Sequence, residues 1–288
     1  HVKGLHRSGA NVTAVYGPRE DKARKFAEEN GVERAVTSVE ALFEECDAVI
    51  VASPSQFHFG QADAALEAGK HCLVELPACA SAIEARALMT AAVDHNVLVQ
   101  CAHTSRYLAG FARLGVMLEH QALGEILHVE CRRAIAPRTT RSWTDNALLH
   151  HAAHTVDLVL HWFEWFEPVA AVMHPAFEVP QDVELVGRLE GGAPLSFSVS
   201  YSSRLPVSRL TVTGSRHTVE TDGFSYIRSD EMTFEWKGDE TLTYESAIRN
   251  QDQDFLAFVE GGDTGTPWQE TLRLAECLDR FLELGSEG

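Results

Sequence analysis

The 288-residue chain carries 24 Lys and Arg against 42 Asp and Glu, which gives a net charge of -18. A field of that sign repels polyanions, so we expect no nucleic-acid partner. With 45% hydrophobic and 23% charged residues, the composition is that of a globular protein long enough for two domains. We expect no membrane partner, because no apolar run approaches the roughly 18 residues of a membrane span.

The six cysteines are scattered along the chain without a Cys-x-x-Cys pair. Several lie in apolar runs, where a free thiol packs as a small hydrophobic group. We therefore expect reduced cysteines and a cytoplasmic protein. The first seven residues do not have the pattern of a signal peptide.

Short apolar runs alternate with amphipathic stretches between residues 11 and 101. The pattern predicts strands at 11–16, 47–52, 71–75 and 97–101, separated by helices at 19–30, 40–45, 59–68 and 81–95. This alternation is typical of a parallel, doubly wound α/β sheet of the Rossmann type. Such sheets bind their ligands beyond the carboxyl ends of the strands.

A dinucleotide-binding sheet begins with a strand that runs into a Gly-x-Gly-x-x-Gly turn. This sequence opens at His1 on what reads as the helix after such a turn. The first strand and its turn, on the order of 15 residues, are not in it. We expect them to precede His1 in the natural protein, because a parallel sheet without its central strand would be destabilised.

The pattern changes after residue 102. A helix at 111–119, a strand at 126–133 and a helix ending near residue 163 precede period-two alternation from 168 to 245, which predicts an antiparallel sheet with one solvated face. Helices at 252–259 and 269–284 follow. We predict an N-terminally incomplete Rossmann domain at 1–102 and an α+β domain at 103–288, whose C-terminal helix could pack back on the first domain.

His150, His154 and Asp157 are spaced i, i+4 and i+7, so they share one face if the segment is an α-helix. Imidazole, with an unperturbed pKa of about 6.5, takes and gives a proton near neutral pH. The stripe indicates an acid/base site or a zinc site. Spacing alone favours histidines satisfied in a core or exposed to water, and Asp157 is as compatible with a structural role as with orienting an imidazole.

Three stretches resemble the glucose–fructose oxidoreductase/inositol dehydrogenase (Gfo/Idh/MocA) family. They read Ala-Ser-Pro-Ser-Gln-Phe-His at 52–58, Ala-Ala-Leu-Glu-Ala-Gly-Lys-His at 64–71 and Val-Glu-Leu-Pro at 74–77, with weaker matches at 103–107 and 122–127. The resemblance implies a Rossmann domain followed by an α/β domain whose open sheet serves substrate binding or oligomerisation. It also implies a nicotinamide cofactor.

Two positions depart from the family pattern. The family carries a catalytic lysine in Glu-Lys-Pro, where this chain has Leu76, and usually reads Asp-x-Gly-x-His where this chain has His150-x-Ala152-x-His154. An inactive relative would explain both departures. A branch of semialdehyde dehydrogenases is similar in both, however, and also at 141–145 and 150–157. Since an imidazole has a pKa suited to proton transfer, we expect histidine to replace lysine as the acid/base; His154 or His150 is the candidate base and Asp157 the third catalytic candidate.

No acid follows the strand at 11–16 to bond the ribose of NAD, whereas Arg19 could receive the 2′-phosphate of NADP. We expect NADP, with NAD as the alternative. The other cofactor-binding candidates lie at later strand ends, with a cis or sharply turned bond before the proline at 77; they are Ser53, Pro54, His58, Glu75, Leu76 and Pro77.

Arginines at 132, 133, 138 and 141 form a basic cluster in an acidic chain, and guanidinium groups bind carboxylates in a bidentate manner. Strand alternation prevents Arg132 and Arg133 from both facing a pocket. Trp143 could wall a planar substrate. The substrate-binding candidates are Arg106, Arg138, Arg141 and Trp143.

These features predict an NAD(P)-dependent oxidoreductase that transfers a hydride between the nicotinamide and a small, carboxylated hydroxy, aldehyde or hemiacetal substrate. The alternatives are a non-redox lyase, a zinc site at His150 and His154, and an inactive ligand-binding protein on the same fold. We expect a homodimer or homotetramer formed through the C-terminal sheet.

Overall fold

The computed structural model describes residues 1–135, 146–175, 179–235 and 240–286. They form two compact units. The first unit contains His1–Cys79, Ile83–Ala102 and Ile248–Trp268. The second contains Ala80–Ala82 and the described residues of His103–Ala247 and Gln269–Gly288. The division into domains at residue 102 stays a prediction.

The first unit alternates parallel strands with helices, as the apolar runs predict. Its strands are β1 (Ala14–Tyr16), β2 (Arg34–Val36), β3 (Ala48–Val51), β4 (His71–Glu75) and β5 (Val99–Ala102). Helices α1 (Val2–Arg7), α2 (Glu20–Asn30), α3 (Val39–Phe43) and α4 (His58–Glu67) belong to it, with all but the first residue of α5 (Ala82–Asp94). Gly31 follows α2 in the left-handed conformation, with φ 67°, which suits a residue without a Cβ.

Hydrogen bonding divides the strands of the first unit into two parallel sheets. One consists of β1 and β2, and the other has the order β3-β4-β5. The second sheet is apolar in sequence because its strands are covered on both faces. Its fully buried strand residues include Cys72, Leu73, Val74 and Cys101, and the fully buried Leu66 of α4 and Leu88 of α5 belong to the same core.

The second unit is built on an eight-stranded sheet in the order β13-β12-β11-β10-β6-β9-β8-β7. The strands are β6 (Ile126–Ala134), β7 (Phe166–His174), β8 (Asp182–Leu189), β9 (Pro194–Ser200), β10 (Val207–Gly214), β11 (Thr218–Thr221), β12 (Tyr226–Ser229) and β13 (Thr233–Glu235). All neighbours pair antiparallel except β6 and β9, which are parallel. The predicted α/β architecture with a second, mostly antiparallel sheet is confirmed.

One face of this sheet is buried and the other is solvated. Along β8 and β9 every second residue is buried, as in Leu185, Phe197 and Val199. Helices α6 (Ala109–Glu119), α7 (Ala153–Phe163) and α9 (Trp268–Ser286) lie in or reach into this unit. Phe166 packs its ring against Phe197 at 5.7 Å and against Phe281 of α9 at 6.1 Å, so helix and strand side chains form one core.

Local predictions fail where the sequence pattern is short or ambiguous. The three-residue strand β2 was not expected, because it starts with an arginine and has too few residues to show alternation. Residues 240–245, expected to end the sheet, belong to α8 (Glu240–Val259). Their alternating Thr and apolar residues resemble a strand, but the segment continues as one helix.

All six cysteines are free thiols, as predicted. Burial raises the pKa of the Cys72 thiol to about 12, which makes it unreactive. Among the residues that the structure describes, no helix combines the length and the apolar character needed to cross a membrane.

Candidate active site

The histidine-bearing segment begins at Asn146. Its side-chain Oδ1 accepts hydrogen bonds from the backbone N–H groups of Leu148 (2.9 Å) and Leu149 (3.1 Å), which satisfies donors that a first helical turn leaves unpaired. A π-helical turn follows over Leu148–Ala152, and such turns are frequent at functional sites. His150 thus lies in the π-turn, whereas His154 and Asp157 lie in the α-helix α7 that continues it.

The two candidate histidines have different surroundings. His150 folds back on the start of the segment, with Nδ1 3.0 Å from the backbone nitrogen and 3.1 Å from the carbonyl oxygen of Asn146. His154 lies in α7, and its Nδ1 is 3.4 Å from Ser105 Oγ. His154 also lines a concave pocket of the second unit. The structure thus distinguishes His154, at a pocket, from His150, which contacts its own backbone.

Arg133 lines the same pocket as His154, together with Thr104, Ser105 and Tyr244. Val129 and Cys131 of β6 are buried, so alternation along the strand places Arg133 on that same face. Arg132 alternates to the opposite face and is exposed, although it also lines part of the pocket. The sequence placed Arg133 in a basic cluster but did not select it, because the burial of its neighbours decides its face.

Asp157 of α7 holds a buried ion pair one helical turn after His154. Its Oδ1 lies 2.6 Å from Arg106 Nη2 and its Oδ2 lies 2.9 Å from Arg106 Nε, which is the bidentate geometry of a strong carboxylate–guanidinium pair. Asp157 Oδ1 is also 3.0 Å from His103 Nδ1. All three side chains are at least 95% buried, so the ion pair is shielded from water.

The protonation of this cluster follows from its charges. Burial raises the pKa of Asp157, but the charge of Arg106 outweighs burial and holds that pKa far below its usual range. Burial lowers the pKa of His103, so its ring is neutral. Nδ1–H then donates to Asp157, and Nε2, 3.0 Å from Thr271 Oγ1, accepts from that hydroxyl.

Glu270 extends the cluster to α9. It accepts a hydrogen bond from Arg106 Nη1 and lies 3.3 Å from His161 Nδ1 in α7. The residues that follow β5 are thereby joined to both α7 and α9. Because His154 precedes Asp157 by one helical turn, this cluster fixes the position of the candidate base.

These contacts change the roles expected for Arg106 and Asp157. Arg106 was expected to bind substrate, but its guanidinium is buried and bonded to Asp157 and Glu270. Asp157 orients the imidazole of His103, and no contact joins it to His150 or His154 within the part of the chain that the structure describes. This buried pair ties α7 to the residues that follow β5.

The remaining substrate candidates, Arg138, Arg141 and Trp143, lie outside the described residues. Within residues 1–135, 146–175, 179–235 and 240–286, no group of three or more His, Cys, Asp or Glu residues is arranged to hold a metal ion.

In the first unit the parallel strands β3, β4 and β5 place their carboxyl ends at one edge. Glu75 ends β4, and the Leu76–Pro77 bond that follows is cis, as expected. Leu76 packs against the apolar core. Glu75 Oε1 lies 2.7 Å from Nε2 of His1, a partner that the sequence did not indicate.

His58 joins two of these strand ends. Its ring nitrogens lie 2.8 Å from the carbonyl oxygen of Pro77 and 2.6 Å from that of Ser53. Because both nitrogens face backbone acceptors, the expected contact of His58 with the cofactor is not supported. Its buried ring instead fixes the loops after β3 and β4 relative to each other. The Ser53 hydroxyl donates to Gln61 Oε1 at 2.7 Å, and Pro54 precedes a short 3₁₀ turn.

Arg19 is exposed at the N-cap of α2 and makes no capping hydrogen bond with its side chain. Gly17 precedes it, and a Cβ at Gly17 would lie only 3.2 Å from the Cβ of Ala23. The chain after β1 therefore packs closely on α2, which presents Arg19 beside backbone N–H groups suited to a phosphate.

Two domain profiles of one family match this chain. The oxidoreductase family profile with an NAD-binding Rossmann fold matches residues 1–103, and the Gfo/Idh/MocA C-terminal domain matches residues 111–220. The chain belongs to the Gfo/Idh/MocA oxidoreductase family. It is an NAD(P)-dependent oxidoreductase, as its relatives are.

Two curated relatives indicate the range of the family. The chain is 27% identical to 4-carboxy-2-hydroxymuconate-6-semialdehyde dehydrogenase of Sphingobium sp., over 99% of this chain and 93% of that protein. It is 34% identical to inositol 2-dehydrogenase/D-chiro-inositol 3-dehydrogenase of Shouchella clausii, over 56% of this chain and 48% of that protein. Only the first likeness spans both proteins.

Solved structures share the fold. Levoglucosan dehydrogenase in complex with NADH and levoglucosan superposes with a TM-score of 0.85 at 20% identity, covering 96% of this chain and 89% of that one. UDP-N-acetylglucosamine 3-dehydrogenase from Acidithiobacillus ferrooxidans gives 0.83 at 22% identity, covering 99% and 93%.

The first unit fits a nicotinamide cofactor on its own geometry. The strand-end loops at Ser53 and at Glu75–Pro77 are fixed by the buried ring of His58. The N-terminus of α2 offers amide donors and a cation at Arg19. These are the donor types that bind a ribose or its phosphate at such an edge.

The Asp157→Asn variant tests the buried ion pair. The substitution leaves Arg106 buried without its charged partner. We therefore expect the free energy of unfolding to fall by about 3–5 kcal/mol. The native pKa of Asp157 lies below the unfolded value of about 3.9. The stabilisation is therefore complete above about pH 4 and is lost as the pH falls further.

Denaturant unfolding of both proteins between neutral pH and about pH 3 measures this difference. The exposed Asp263→Asn variant is the control and should unfold like the wild type. A wild-type advantage that stays constant down to pH 3 would contradict the low native pKa.

Proposed function

We propose that this protein oxidises or reduces a small carboxylated substrate at a hydroxyl, aldehyde or hemiacetal carbon, with His154 as the acid/base. The observation that carries the proposal is the presence of His154 and Arg133 in one pocket of the second unit. A proton acceptor and an anion-binding group are what such a substrate needs at its two ends.

In the oxidising direction the imidazole of His154 takes the hydroxyl proton while the hydride leaves the same carbon. The bound nicotinamide supplies the hydride acceptor. In the reverse direction protonated His154 gives the proton back to the carbonyl oxygen. Ser105 Oγ, 3.4 Å from His154 Nδ1, orients the ring so that Nε2 can face the substrate. Leu76, in the place of the family's lysine, cannot carry a proton, so the duty passes to histidine.

Arg133 is the residue that favours a carboxylated substrate. The protein has a net charge of -18, so an anionic substrate needs a local cation to enter. Arg133 supplies one at the buried face of β6, beside His154. The relative that matches over almost the whole chain is named for a carboxylated semialdehyde, which is the chemical class that this pair would accept.

We propose NADP as the preferred cofactor. Arg19 is exposed at the end of β1 and can bind the 2′-phosphate, whereas no acid follows β1 directly to bond a free ribose hydroxyl. Against NADP, Glu20 and Asp21 lie in the first turn of α2 and repel a second phosphate. NAD is the alternative cofactor. Self-association through the solvated sheet face stays a prediction.

Replacement of His154 by Gln tests the base. We expect kcat to fall by about 10²–10⁴-fold, with little change in cofactor affinity. The assay follows reduced nicotinamide absorbance with 4-carboxy-2-hydroxymuconate-6-semialdehyde, levoglucosan and myo-inositol as candidate substrates. The exposed His120→Gln variant serves as the control. Full activity of the His154 variant would exclude it as the base.

Replacement of Arg133 by Gln tests the carboxylate contact. We expect KM for the carboxylated substrate to rise roughly tenfold or more, and no rise for an uncharged substrate such as myo-inositol. The control is Arg188→Gln, an exposed arginine of β8. An equal rise for charged and uncharged substrates would mean that Arg133 supports the pocket without reading the carboxylate.

Replacement of Arg19 by Ala tests the cofactor preference. We expect KM for NADP to rise roughly tenfold or more, since a charge-assisted hydrogen bond is lost, while KM for NAD stays unchanged. Arg24→Ala, on the exposed side of the same helix, is the matched control. If wild-type KM is lower for NAD than for NADP, the NADP proposal is wrong.

A further inference from the structure

A second buried charge cluster lies in the first unit and takes no part in the proposed chemistry. His1, at the start of α1, lies between two carboxylates. Its Nδ1 is 2.6 Å from Asp252 Oδ1 in α8, and its Nε2 is 2.7 Å from Glu75 Oε1 at the end of β4. The side chains of His1, Glu75 and Asp252 are 13%, 25% and 0% exposed. Three separated segments thus meet at one imidazole.

The geometry dictates the charge of this ring. Burial raises the pKa of Asp252, but while both carboxylates are ionised they only accept hydrogen bonds, so both ring nitrogens donate and the ring is an imidazolium. Burial lowers the pKa of His1, but the hydrogen bonds from the ring to Asp252 and Glu75 outweigh burial and raise it to about 10. Among the described residues, Asp252 and Glu75 are the ionisable groups that contact the ring.

The packing around the cluster is close. A Cβ at Gly4 of α1 would lie 3.0 Å from Asp252 Oδ2 and 3.3 Å from the Cα of Arg249. Gly4 therefore lets α1 approach α8 closely enough for His1 to reach Asp252. The sequence provides a small residue where the two helices meet and an imidazole one turn earlier.

Glu75 links the charge cluster to the edge of the sheet where a cofactor would bind. It is the last residue of β4 and precedes the Leu76–Pro77 bond at the carboxyl edge of the sheet. Ligands of parallel sheets bind at this edge. A Glu75 side chain held by an imidazolium restrains the loop that follows it, whereas two unbridged carboxylates would repel each other.

We propose that the His1 imidazolium is a positioning residue for the cofactor: by bridging Glu75 to Asp252 it holds the Glu75–Pro77 loop in the conformation that binds the nicotinamide cofactor, and loss of its proton releases that loop. The role depends on the proposed cofactor site of the first unit. It predicts that cofactor affinity follows the protonation of the His1 ring.

The first measurement is the dissociation constant of NADP and NAD across pH, by fluorescence titration of the full-length protein. If only the protonated bridge binds well, the wild-type constant is level from about pH 7 to 9 and rises up to tenfold per pH unit above about pH 10. His1→Gln should weaken binding roughly tenfold at neutral pH and abolish the additional loss at high pH. Its matched control is His6→Gln, an exposed histidine of α1.

A second variant, Asp252→Asn, should shift the pH profile of cofactor binding without removing the imidazole. Asp252→Asn keeps the shape of the side chain and deletes one negative charge, so the loss of affinity should begin at a lower pH than in the wild type. A purely structural bridge would lower the melting temperature in this variant but would not move the pH profile of cofactor binding.

NMR of histidine-labelled protein without cofactor gives an independent readout. The His1 signals, assigned by their absence in His1→Gln, should show a doubly protonated ring at neutral pH. A His1 ring that titrates near 6.5, or a His1→Gln variant that binds cofactor within twofold of wild type, would overturn the proposal. Failure of the wild type to bind either cofactor would contradict the proposed function instead, and the NMR result would still decide the charge of His1.

Discussion

The ion pair between Asp157 and Arg106 is the contact on which the candidate pocket depends. It joins the residues after β5 to α7, and α7 carries His154 one turn away. Buried charges are costly to remove from water, and they persist here because each polar atom of the pair has a partner of opposite charge or a hydrogen bond. The bidentate geometry also restricts rotation, so a single pair sets both the distance and the orientation of the helix.

A comparison of the buried His103 and His1 shows how neighbouring carboxylates and cations determine whether an imidazole is charged. His103 shares Asp157 with Arg106, whose positive charge already compensates that carboxylate, so burial dominates and the ring is neutral. His1 faces two carboxylates, whose hydrogen bonds with the ring outweigh burial, and the ring is charged. One residue type thus acts as a neutral hydrogen-bond relay in the second unit and as a fixed cation in the first.

The sequence predicts regular elements well and side-chain partners poorly. The bounds of β4 match the prediction to the residue, because its apolar run is bounded by polar residues, and α2 ends at Asn30 as the pattern predicts. The π-turn at His150 and the partners of Arg106 and His58 were not predictable, because they arise from contacts between segments far apart in the chain. Histidine spacing drew attention to a segment that reaches the pocket through His154, while the contacts of each ring depended on tertiary surroundings.

The first unit is built from stretches at both ends of the chain, which restricts where the gene can be cut without disrupting that unit. Residues 248–268 belong to that unit and supply Phe255, which packs on Leu73 and Ala102, and Trp268, whose indole donates to the Ala85 carbonyl oxygen. A fragment ending at residue 102 would lack these aromatic rings as well as Asp252. Exchange of cofactor preference between relatives by recombination therefore requires two crossover blocks, one of them near the carboxyl terminus.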